Sequence, residues 1–371
     1  MKLTINTIKF QEMLSKALKC AGESSDIPLT EMLLIKLENG VLSLTTTDFT
    51  NYLVVKEDNI EGDNLEVVVR IKTFAPLISK MTSDVIVLDL KSNYLEVVGN
   101  GAYKIELMLD DDGNMIKFPN PISAMPKVNL EATISSEVIA KILGGLKQSI
   151  YVLDKGNRET DKPYTKYQVG NAVMASNGYA VSSLNRTVFK ENKSITTDLM
   201  NILGVITDDT INVYGNVKLN SADVEIRELL FESAHYSVYG IEASDGNEFP
   251  LVSLNEWLAK PFPYTCQLPK NSVLQLLGRI SLFIEEYDNN TITLNFTEDY
   301  LEVSSRALTG VENIKYLDSE AHANYSCLIN IKQLEPQVKA LSGDIITLQY
   351  GDDGAIKLFD DSITTIIAIG E

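Results

Sequence analysis

An internal repeat constrains the fold of this chain more than any other feature of its sequence. Residues 71–81 (IKTFAPLISKM) and 331–341 (IKQLEPQVKAL) align without a gap. The same residue types follow both copies at the same distances, as Asp84, Ile86 and Leu88 after the first and Asp344, Ile346 and Leu348 after the second. Each copy predicts a short helix with proline in its first turn, followed by a β-strand. A looser third copy, with a helix over 195–203 and a strand over 210–214, lies between them.

A second family of helices alternates with the first. Residues 8–21, 135–147 and 270–283 place apolar side chains at helical spacing, and strands with alternating apolar residues follow. The unit is one helix with several strands, occurring twice per domain in three domains. Repeats of this length, each an α+β unit, are typical of tandem globular domains. The Phe-Pro pairs at 118–119 and 249–250 mark the boundaries, so the predicted domains are 1–119, 120–249 and 250–371.

The charge balance argues at first sight against nucleic acid. Lys and Arg together number 32 and Asp and Glu 51, so the formal net charge is −19. Duplex DNA is bound largely through neutralisation of its phosphates by Lys and Arg. Net charge is a sum, however, and DNA responds to the distribution of charge over a surface. A protein with an acidic outer surface and a weakly basic inner surface could have this negative net charge and still bind DNA.

The sequence also bears on where the protein works. No run of about 18 apolar residues could span a bilayer, so we expect no membrane partner. The first residues alternate apolar and polar types, as in a strand, and lack the features of a signal peptide. The three cysteines are widely spaced and odd in number, which suits a reducing cytosol and excludes a disulfide framework. We therefore predict a cytoplasmic protein.

Basic residues recur on five of the six repeat helices. Lysine on the exposed face of a helix usually serves only solvation. That explanation is weaker here, because the rest of the chain carries a large excess of acid. The residues in question are Lys9, Lys16, Lys19, Lys72, Lys80, Lys141, Lys147, Lys270, Arg279, Lys332 and Lys339.

The sequence offers little support for catalysis. The two histidines, His235 and His322, are not in metal-ligand spacing with the cysteines. Gly144 and Gly145 lie within a helical pattern and lack the ending of a phosphate-binding loop. The carboxylate clusters at 110–112, 208–209 and 352–353 are typical of solvated turns. We predict a protein that is not an enzyme and that has no cofactor and no metal site.

In the order and length of these segments, the whole chain resembles the bacterial sliding clamps, the DNA polymerase III beta subunits. The resemblance rests on the strand and helix within 1–20, the strand end at 46–48, the two Phe-Pro linkers and the final strand. It implies three tandem DNA-clamp domains, each with two helix-plus-sheet repeats, and a head-to-tail homodimer closed into a ring. Such a ring would encircle double-stranded DNA without sequence preference, with the basic residues above facing the DNA. It would tether replicative and repair DNA polymerase subunits, and an ATP-driven clamp loader would open it.

The resemblance also implies two further sites. Clamps bind partner peptides in a pocket that is partly built by a Thr-Asp-Gly-His-Arg-Leu-like run, where this chain has SNGYAV at 176–181. The predicted pocket residues are Gly178, Tyr179, Val181, Pro250, Leu254, Ile366, Ile367 and Ile369. The implied dimer contact sets Tyr103 and Ile105 of one copy against Leu282 and Phe283 of the other.

Two other classes of function stay open on the sequence alone. An enzyme with a carboxylate-rich cleft would require an acid–base or metal constellation that the sequence lacks. An interaction scaffold that never touches DNA is best supported by the charge of −19.

Overall fold

The computed structural model describes residues 1–22, 27–110, 112–150, 165–219, 222–243, 249–284, 289–319, 324–351 and 354–370. The protein has an α+β fold, as predicted, and its contacts divide it into two compact units. Unit 1 comprises Met1–Ile139 and Asp198–Glu242, and unit 2 comprises Ala140–Thr197 and Ala243–Glu371.

The strands and helices are numbered along the chain. The strands are β1 Lys2–Asn6, β2 Met32–Glu38, β3 Val41–Thr47, β4 Tyr52–Glu57, β5 Glu61–Gly62, β6 Leu65–Arg70, β7 Val85–Leu90, β8 Tyr94–Val98, β9 Ala102–Glu106, β10 Leu130–Ile134, β11 Lys166–Val169, β12 Val173–Ser176, β13 Ala180–Leu184, β14 Lys193–Thr196, β15 Ile211–Leu219, β16 Glu225–Glu232, β17 Tyr236–Ile241, β18 Tyr264–Pro269, β19 Thr291–Phe296, β20 Tyr300–Ser305, β21 Val311–Lys315, β22 Asp318–Ser319, β23 Tyr325–Asn330, β24 Ile345–Tyr350, β25 Ala355–Phe359 and β26 Ile363–Ala368. The α-helices are α1 Thr7–Ala17, α2 Ile71–Ser79, α3 Pro121–Ala124, α4 Ser136–Leu146, α5 Thr197–Leu203, α6 Leu251–Ala259, α7 Lys270–Ile280 and α8 Ile331–Ala340.

Unit 1 contains an eight-stranded sheet, in the order β10-β15-β16-β17-β4-β3-β2-β6, and a five-stranded sheet, β5-β1-β7-β8-β9. The first helix begins where the side chain of Asn6 accepts a hydrogen bond from Lys9 N (3.1 Å). Phe10 of α1 meets Phe74 of α2 edge to face, with ring centroids 6.1 Å apart. Gln11 Nε2 also donates to the carbonyl of Ile78 (2.8 Å). These contacts join the two helices of the first repeat pair.

Unit 2 contains a nine-stranded sheet, in the order β14-β11-β12-β13-β26-β25-β24-β18-β22, and a four-stranded sheet, β21-β20-β19-β23. Helices α7 and α8 pack against each other, and the side chain of Asn330 caps α8 by accepting from Lys332 N (2.9 Å). Phe296 stacks on Tyr350 with ring centroids 3.8 Å apart. The same helix-pair arrangement thus occurs in each unit.

The repeat is present, with one correction. Helices α2 and α8 are each followed by a strand, β7 and β24, as predicted. Pro76 and Pro336, however, lie inside their helices rather than in the first turn, because both helices begin five residues before the proline. Each helix therefore lacks the hydrogen bond that an N–H at this position would make.

Both large sheets join strands from neighbouring predicted domains. Strand β17 of range 120–249 pairs with β4 of range 1–119, and β13 of range 120–249 pairs with β26 of range 250–371. Contacts within each unit therefore cross the predicted boundaries, and the three ranges stay a prediction. Among the described residues, no helix has the length and apolar composition needed to cross a bilayer.

Candidate functional site

The turn between β12 and β13 contains Gly178 and Tyr179, the exposed members of the predicted pocket. Gly178 has φ +88°, a backbone conformation that residues with a Cβ rarely adopt. Asn177 Oδ1 accepts hydrogen bonds from Tyr179 N (2.9 Å) and Ala180 N (2.8 Å). The turn presents Tyr179 with 67% of its surface exposed, beside the end of β26, where Ala368 N donates to the carbonyl of Tyr179 (2.8 Å).

Strands β13 and β26 form the floor of this site. Val181 lies directly opposite Ile366 in the antiparallel pairing, and both are buried. They belong to one apolar cluster, which we call the α6 seam because α6 packs on it. Its buried members are Met174, Val181, Phe249, Phe262, Ala355 and Ile366, and its partly buried members are Leu251, Leu254 and Leu258.

The remaining predicted pocket residues lie in different places. Ile367 is fully buried, and because side chains alternate along a strand it points to the face opposite Ile366. Pro250 precedes α6 and is half-buried. Ile369 follows β26, where its N–H donates to the carbonyl of Gly354 (3.1 Å). The structure therefore brings Val181, Leu254 and Ile366 together in the seam, with the turn of Gly178 and Tyr179 continuing β13.

Sequence reasoning missed several members of the seam. Phe249 carried a signal, since it is the first residue of the second Phe-Pro linker. Strand alternation could also have separated Ile367 from Ile366. Phe262 and Ala355 lie in one cluster with Met174 and Val181, which are remote from them in sequence, and no local pattern reveals that packing.

The opposite face of the β13–β26 pair is largely apolar, but it contains one buried polar cluster whose side chains are hydrogen-bonded to one another. Ser182 lies opposite Thr365, and their hydroxyl oxygens are 2.7 Å apart. Ser149 Oγ lies 2.7 Å from Ser182 Oγ, and Gln337 Nε2 of α8 donates to Ser149 Oγ (2.8 Å). Gln337 is only 1% exposed. Because every one of these buried polar groups is hydrogen-bonded, the cluster favours a single packing of α8 on strands β13 and β26.

Six of the eleven predicted DNA-facing residues are exposed, and no carboxylate of the described chain lies within 4.0 Å of them. They are Lys19, Lys72, Lys80, Lys147, Lys332 and Lys339. Lys141 is exposed as well. On α8, Lys332 and Lys339 are seven residues apart and share one side of the helix. Exposed amines without carboxylate partners are free to approach phosphates.

The other four predicted DNA-facing residues have partners within the protein. Lys9 Nζ pairs with Glu57 Oε1 (2.6 Å), Lys16 Nζ donates to the Tyr236 hydroxyl (2.6 Å), and Lys270 Nζ donates to the carbonyl of Leu341. Arg279 donates from two nitrogens to the carboxylate of Glu312 on β21 (2.8 and 2.7 Å). That bidentate pairing raises the pKa of Arg279 and lowers the pKa of Glu312.

The predicted dimer residues lie near two open sheet edges. Tyr103 and Ile105 are on β9, the outer strand of the five-stranded sheet, where Tyr103 is 41% exposed and Ile105 is buried. Leu282 and Phe283 are exposed in the 3-10 turn Ser281–Phe283. A Cβ added at Gly310, the residue before the outer strand β21, would lie 2.9 Å from the Phe283 ring. The Phe283 ring therefore lies beside the start of that edge.

The described residues contain no group of three or more His, Cys, Asp or Glu side chains that could hold a metal ion. All three cysteines are buried, and burial raises the pKa of Cys266 and of Cys327 to about 12. His235 is bound by Asp208, with Nδ1 2.9 Å from Oδ1. His322, Asp111 and the carboxylates at 352–353 lie outside the described residues.

No protein-family profile and no curated protein matches the sequence. Solved structures do match its fold over the full length. The DNA polymerase sliding clamp from Bacillus subtilis has a TM-score of 0.81 at 16% identity, covering 100% of this chain and 99% of that chain. The beta subunit from DNA polymerase of Streptococcus pyogenes has a TM-score of 0.82 at 14% identity, with both chains covered at 100%. The DNA polymerase III beta subunit from Thermotoga maritima has a TM-score of 0.78 at 14% identity, covering 100% and 99%.

Proposed function

We propose that this chain, which has the bacterial sliding-clamp fold that its sequence predicted, is itself a DNA sliding clamp. In this proposal two copies close into a ring around duplex DNA and tether DNA polymerase subunits to it. The observation that carries the proposal is the fold similarity to sliding clamps, because it extends over the whole chain. The protein would then act by encirclement and tethering and would need no catalytic residues.

The distribution of basic residues supports DNA as the encircled partner. Lysines with no carboxylate partner among the described residues lie on helices α2 and α8 and beside α1 and α4, while the chain as a whole has a charge of −19. Few of these amines would touch phosphates at once, so direct binding should be weak, salt-dependent and indifferent to sequence. Sliding requires that weakness.

Two open edges support assembly as a homodimer. Strand β9 in unit 1 and strand β21 in unit 2 each end a sheet, and an unpaired edge is a template for pairing with another chain. Tyr103 lies on the first edge, and Leu282 and Phe283 lie beside the second. A head-to-tail contact of β9 in one copy with β21 in the other would bury them, and two such contacts would close a ring of two.

The α6 seam and its turn support a site for partner peptides. Short peptides gain most of their affinity by placing a few apolar anchors in a preformed pocket. Polymerase subunits and an ATP-driven clamp loader are the partners that the clamp proposal requires. We place the protein in the cytoplasm, and we assign the ranges 1–119, 120–249 and 250–371 as its three clamp domains.

Retention on DNA of different topology tests the proposal. Protein loaded on nicked circular DNA should remain bound during gel filtration at moderate salt and should run off after one cut linearises the circle. Equal retention on the circular and linear forms would overturn encirclement.

A matched pair of variants tests the ring. Leu282→Asp should yield a 41.1 kDa monomer in sedimentation and should not be retained on circles, because it places a charge in the proposed contact. Leu219→Asp changes an equally apolar, exposed residue of unit 1 and should leave the dimer intact. Wild-type protein that sediments only as a monomer at micromolar concentration would contradict the proposed assembly.

A further inference from the structure

The turn that presents Tyr179 is held from outside the hairpin as well as from within. Asn177 uses Oδ1 to accept from the two backbone N–H groups that follow it in the turn. Its Nδ2 points the other way and donates to Gln333 Oε1 on α8 (3.1 Å). The side chain of Asn177 therefore joins the turn to a helix that lies 156 residues further along the chain.

Unit 1 contains an equivalent turn that lacks this connection. Asp48 Oδ1 accepts from Thr50 N (2.9 Å) and Asn51 N (2.7 Å), just as Asn177 Oδ1 does in its own turn. The second carboxylate oxygen of Asp48 accepts from Asn51 Nδ2 within the same turn (2.8 Å). The residue that corresponds to Asn51 in the unit 2 turn is Ala180, which has no polar side chain. The Nδ2 group of Asn177 instead donates its hydrogen bond to Gln333 on α8.

Helix α8 holds the same hairpin at a second point. Gln333 and Gln337 are four residues apart and lie on one face of α8. Gln337 is within hydrogen-bond distance of Ser182 on β13 (3.2 Å). Gln333 is therefore hydrogen-bonded to the turn, and Gln337 to the strand that follows it. Lys332 and Lys339 share a different face of the helix, where they are exposed to solvent.

We infer that Gln333 is a positioning residue for the proposed peptide site. It fixes the Asn177 amide, and through it the backbone of Tyr179, without itself touching the peptide. This inference rests on the proposed function for its consequence in binding. Loss of one such hydrogen bond should lower peptide affinity about 3- to 10-fold, the fold-change expected for a single neutral hydrogen bond that orders a binding residue.

Four variants at this pair test the inference by calorimetry with a synthetic peptide of the Gln-Leu-x-Leu-Phe type, the partner motif that the resemblance to sliding clamps implies. Gln333→Ala should weaken binding as stated. Gln333→Glu should preserve it, because a carboxylate still accepts from Asn177 Nδ2. Asn177→Asp should also preserve it, because the Gln333 amide can turn to donate. The double variant Gln333→Glu with Asn177→Asp should lose more than the sum of the singles, because two carboxylates would then face each other. Glu335→Ala is the control on the same helix and should leave peptide affinity unchanged.

Hydrogen exchange provides a readout that needs no peptide. In Gln333→Ala the amides of Tyr179 and Ala180 should exchange at least about 3-fold faster, while those of Thr50 and Asn51 in the unit 1 turn should not change. Unchanged affinity together with unchanged exchange in Gln333→Ala would overturn the inference, as would strictly additive effects in the double variant. If the wild-type protein binds no such peptide, the proposed peptide site fails, and the exchange rates alone decide whether Gln333 positions the turn.

Discussion

The two units contain closely similar strand pairs whose apolar surfaces are filled in different ways. In unit 1, Tyr52 of β4 lies opposite Tyr239 of β17, and the rings meet edge to face at 6.0 Å. In unit 2, Val181 and Ile366 occupy the corresponding positions. The first pair is covered by α3 and the residues around it, which include Phe118, Ile122 and Met125. The second is covered by the longer helix α6.

The polar surroundings of the two strand pairs differ too. Next to the tyrosines of unit 1 lies Glu228, a buried carboxylate that accepts from Tyr239 Oη, from Lys218 Nζ and from Asn216 Nδ2. None of the residues that form the α6 seam is titratable. Aromatic rings and a hydrogen-bonded carboxylate therefore fill the unit 1 surface, whereas the paired strand positions of unit 2 are aliphatic and the α6 seam has no titratable group. This difference is why we propose the seam, and not its unit 1 counterpart, as the partner site.

The largest expected effect comes from placing a charge at the same position of each turn. Tyr179→Glu should reduce affinity for the Gln-Leu-x-Leu-Phe peptide at least about 30-fold, because an aromatic anchor is replaced by a charge that must be desolvated. Thr50→Glu, at the equivalent exposed position of the Asp48 turn, should leave affinity unchanged. Calorimetry that finds equal losses for both variants would show that the two strand pairs are not functionally distinct.

Removing one donor from Glu228 should destabilise unit 1 more than a small cavity destabilises unit 2. Tyr239→Phe should cost about 1–3 kcal/mol of unfolding free energy, because a buried carboxylate loses a hydrogen bond. Ile366→Val in the α6 seam should cost about 0.5–1.5 kcal/mol. Urea denaturation of the two variants measures both values, and a reversed order would mean that Glu228 is satisfied without Tyr239.

Exchanging the residues at the tips of the two turns should change stability in opposite directions. Phe49 has φ +82° and is 59% exposed. Its backbone is therefore strained, and burial of the ring offsets little of that strain. Phe49→Gly should stabilise the protein by about 0.5–1 kcal/mol, and Gly178→Ala should destabilise it by about 1 kcal/mol. Thermal unfolding reports both, and a destabilised Phe49→Gly variant would indicate a contact that holds the ring.

The smallest effect concerns acid. Burial alone would raise the pKa of Glu228, but its bonds to Lys218, Tyr239 and Asn216 hold it below the ordinary value of 4.5. Its stabilisation is therefore present above about pH 4.5 and is lost as the pH falls through the lowered folded-state pKa. Burial alone would raise the pKa of Asp360 in unit 2 as well, but hydrogen bonds from backbone N–H groups, Ile363 N first among them, lower it. Acid therefore also weakens the wild type there. Glu228→Gln should make the stability profile below pH 4.5 slightly flatter, and an identical profile would assign the acid sensitivity to other groups.

The helices and the repeat were predictable because their signals are local. Phe10, Met13 and Leu14 stand at helical spacing in the sequence, and all three are buried in α1. The proline in α2 misled the prediction of the helix start, since proline usually marks a first turn and here lies in the interior, where the packed face of the helix outweighs the lost bond.

The candidate site was only partly predictable. Val181 and Ile366 could be found from the resemblance, but the run of apolar residues at 366–369 does not itself say which of them share a face. Gln333 is polar and lies on an amphipathic helix, so in sequence it looks like any solvated residue. Its role depends on Asn177, whose distance in sequence conceals the contact. What local patterns cannot supply in each case is the pairing of remote segments.

The central place of β26 in its sheet bears on how the protein folds during synthesis. This strand lies between β13 and β25, yet it follows every other described strand in the sequence, and it pairs residues 181 and 366, which are 366 − 181 = 185 positions apart. Unit 1 needs no residue beyond Glu242. Chains fold from the N-terminus as they are made, and pairing of remote strands is slow. On ribosomes stalled after about 300 residues we therefore expect unit 1 to resist protease while β13 stays cleavable until β26 emerges; equal cleavage of β4 and β13 in such stalled chains would refute this order.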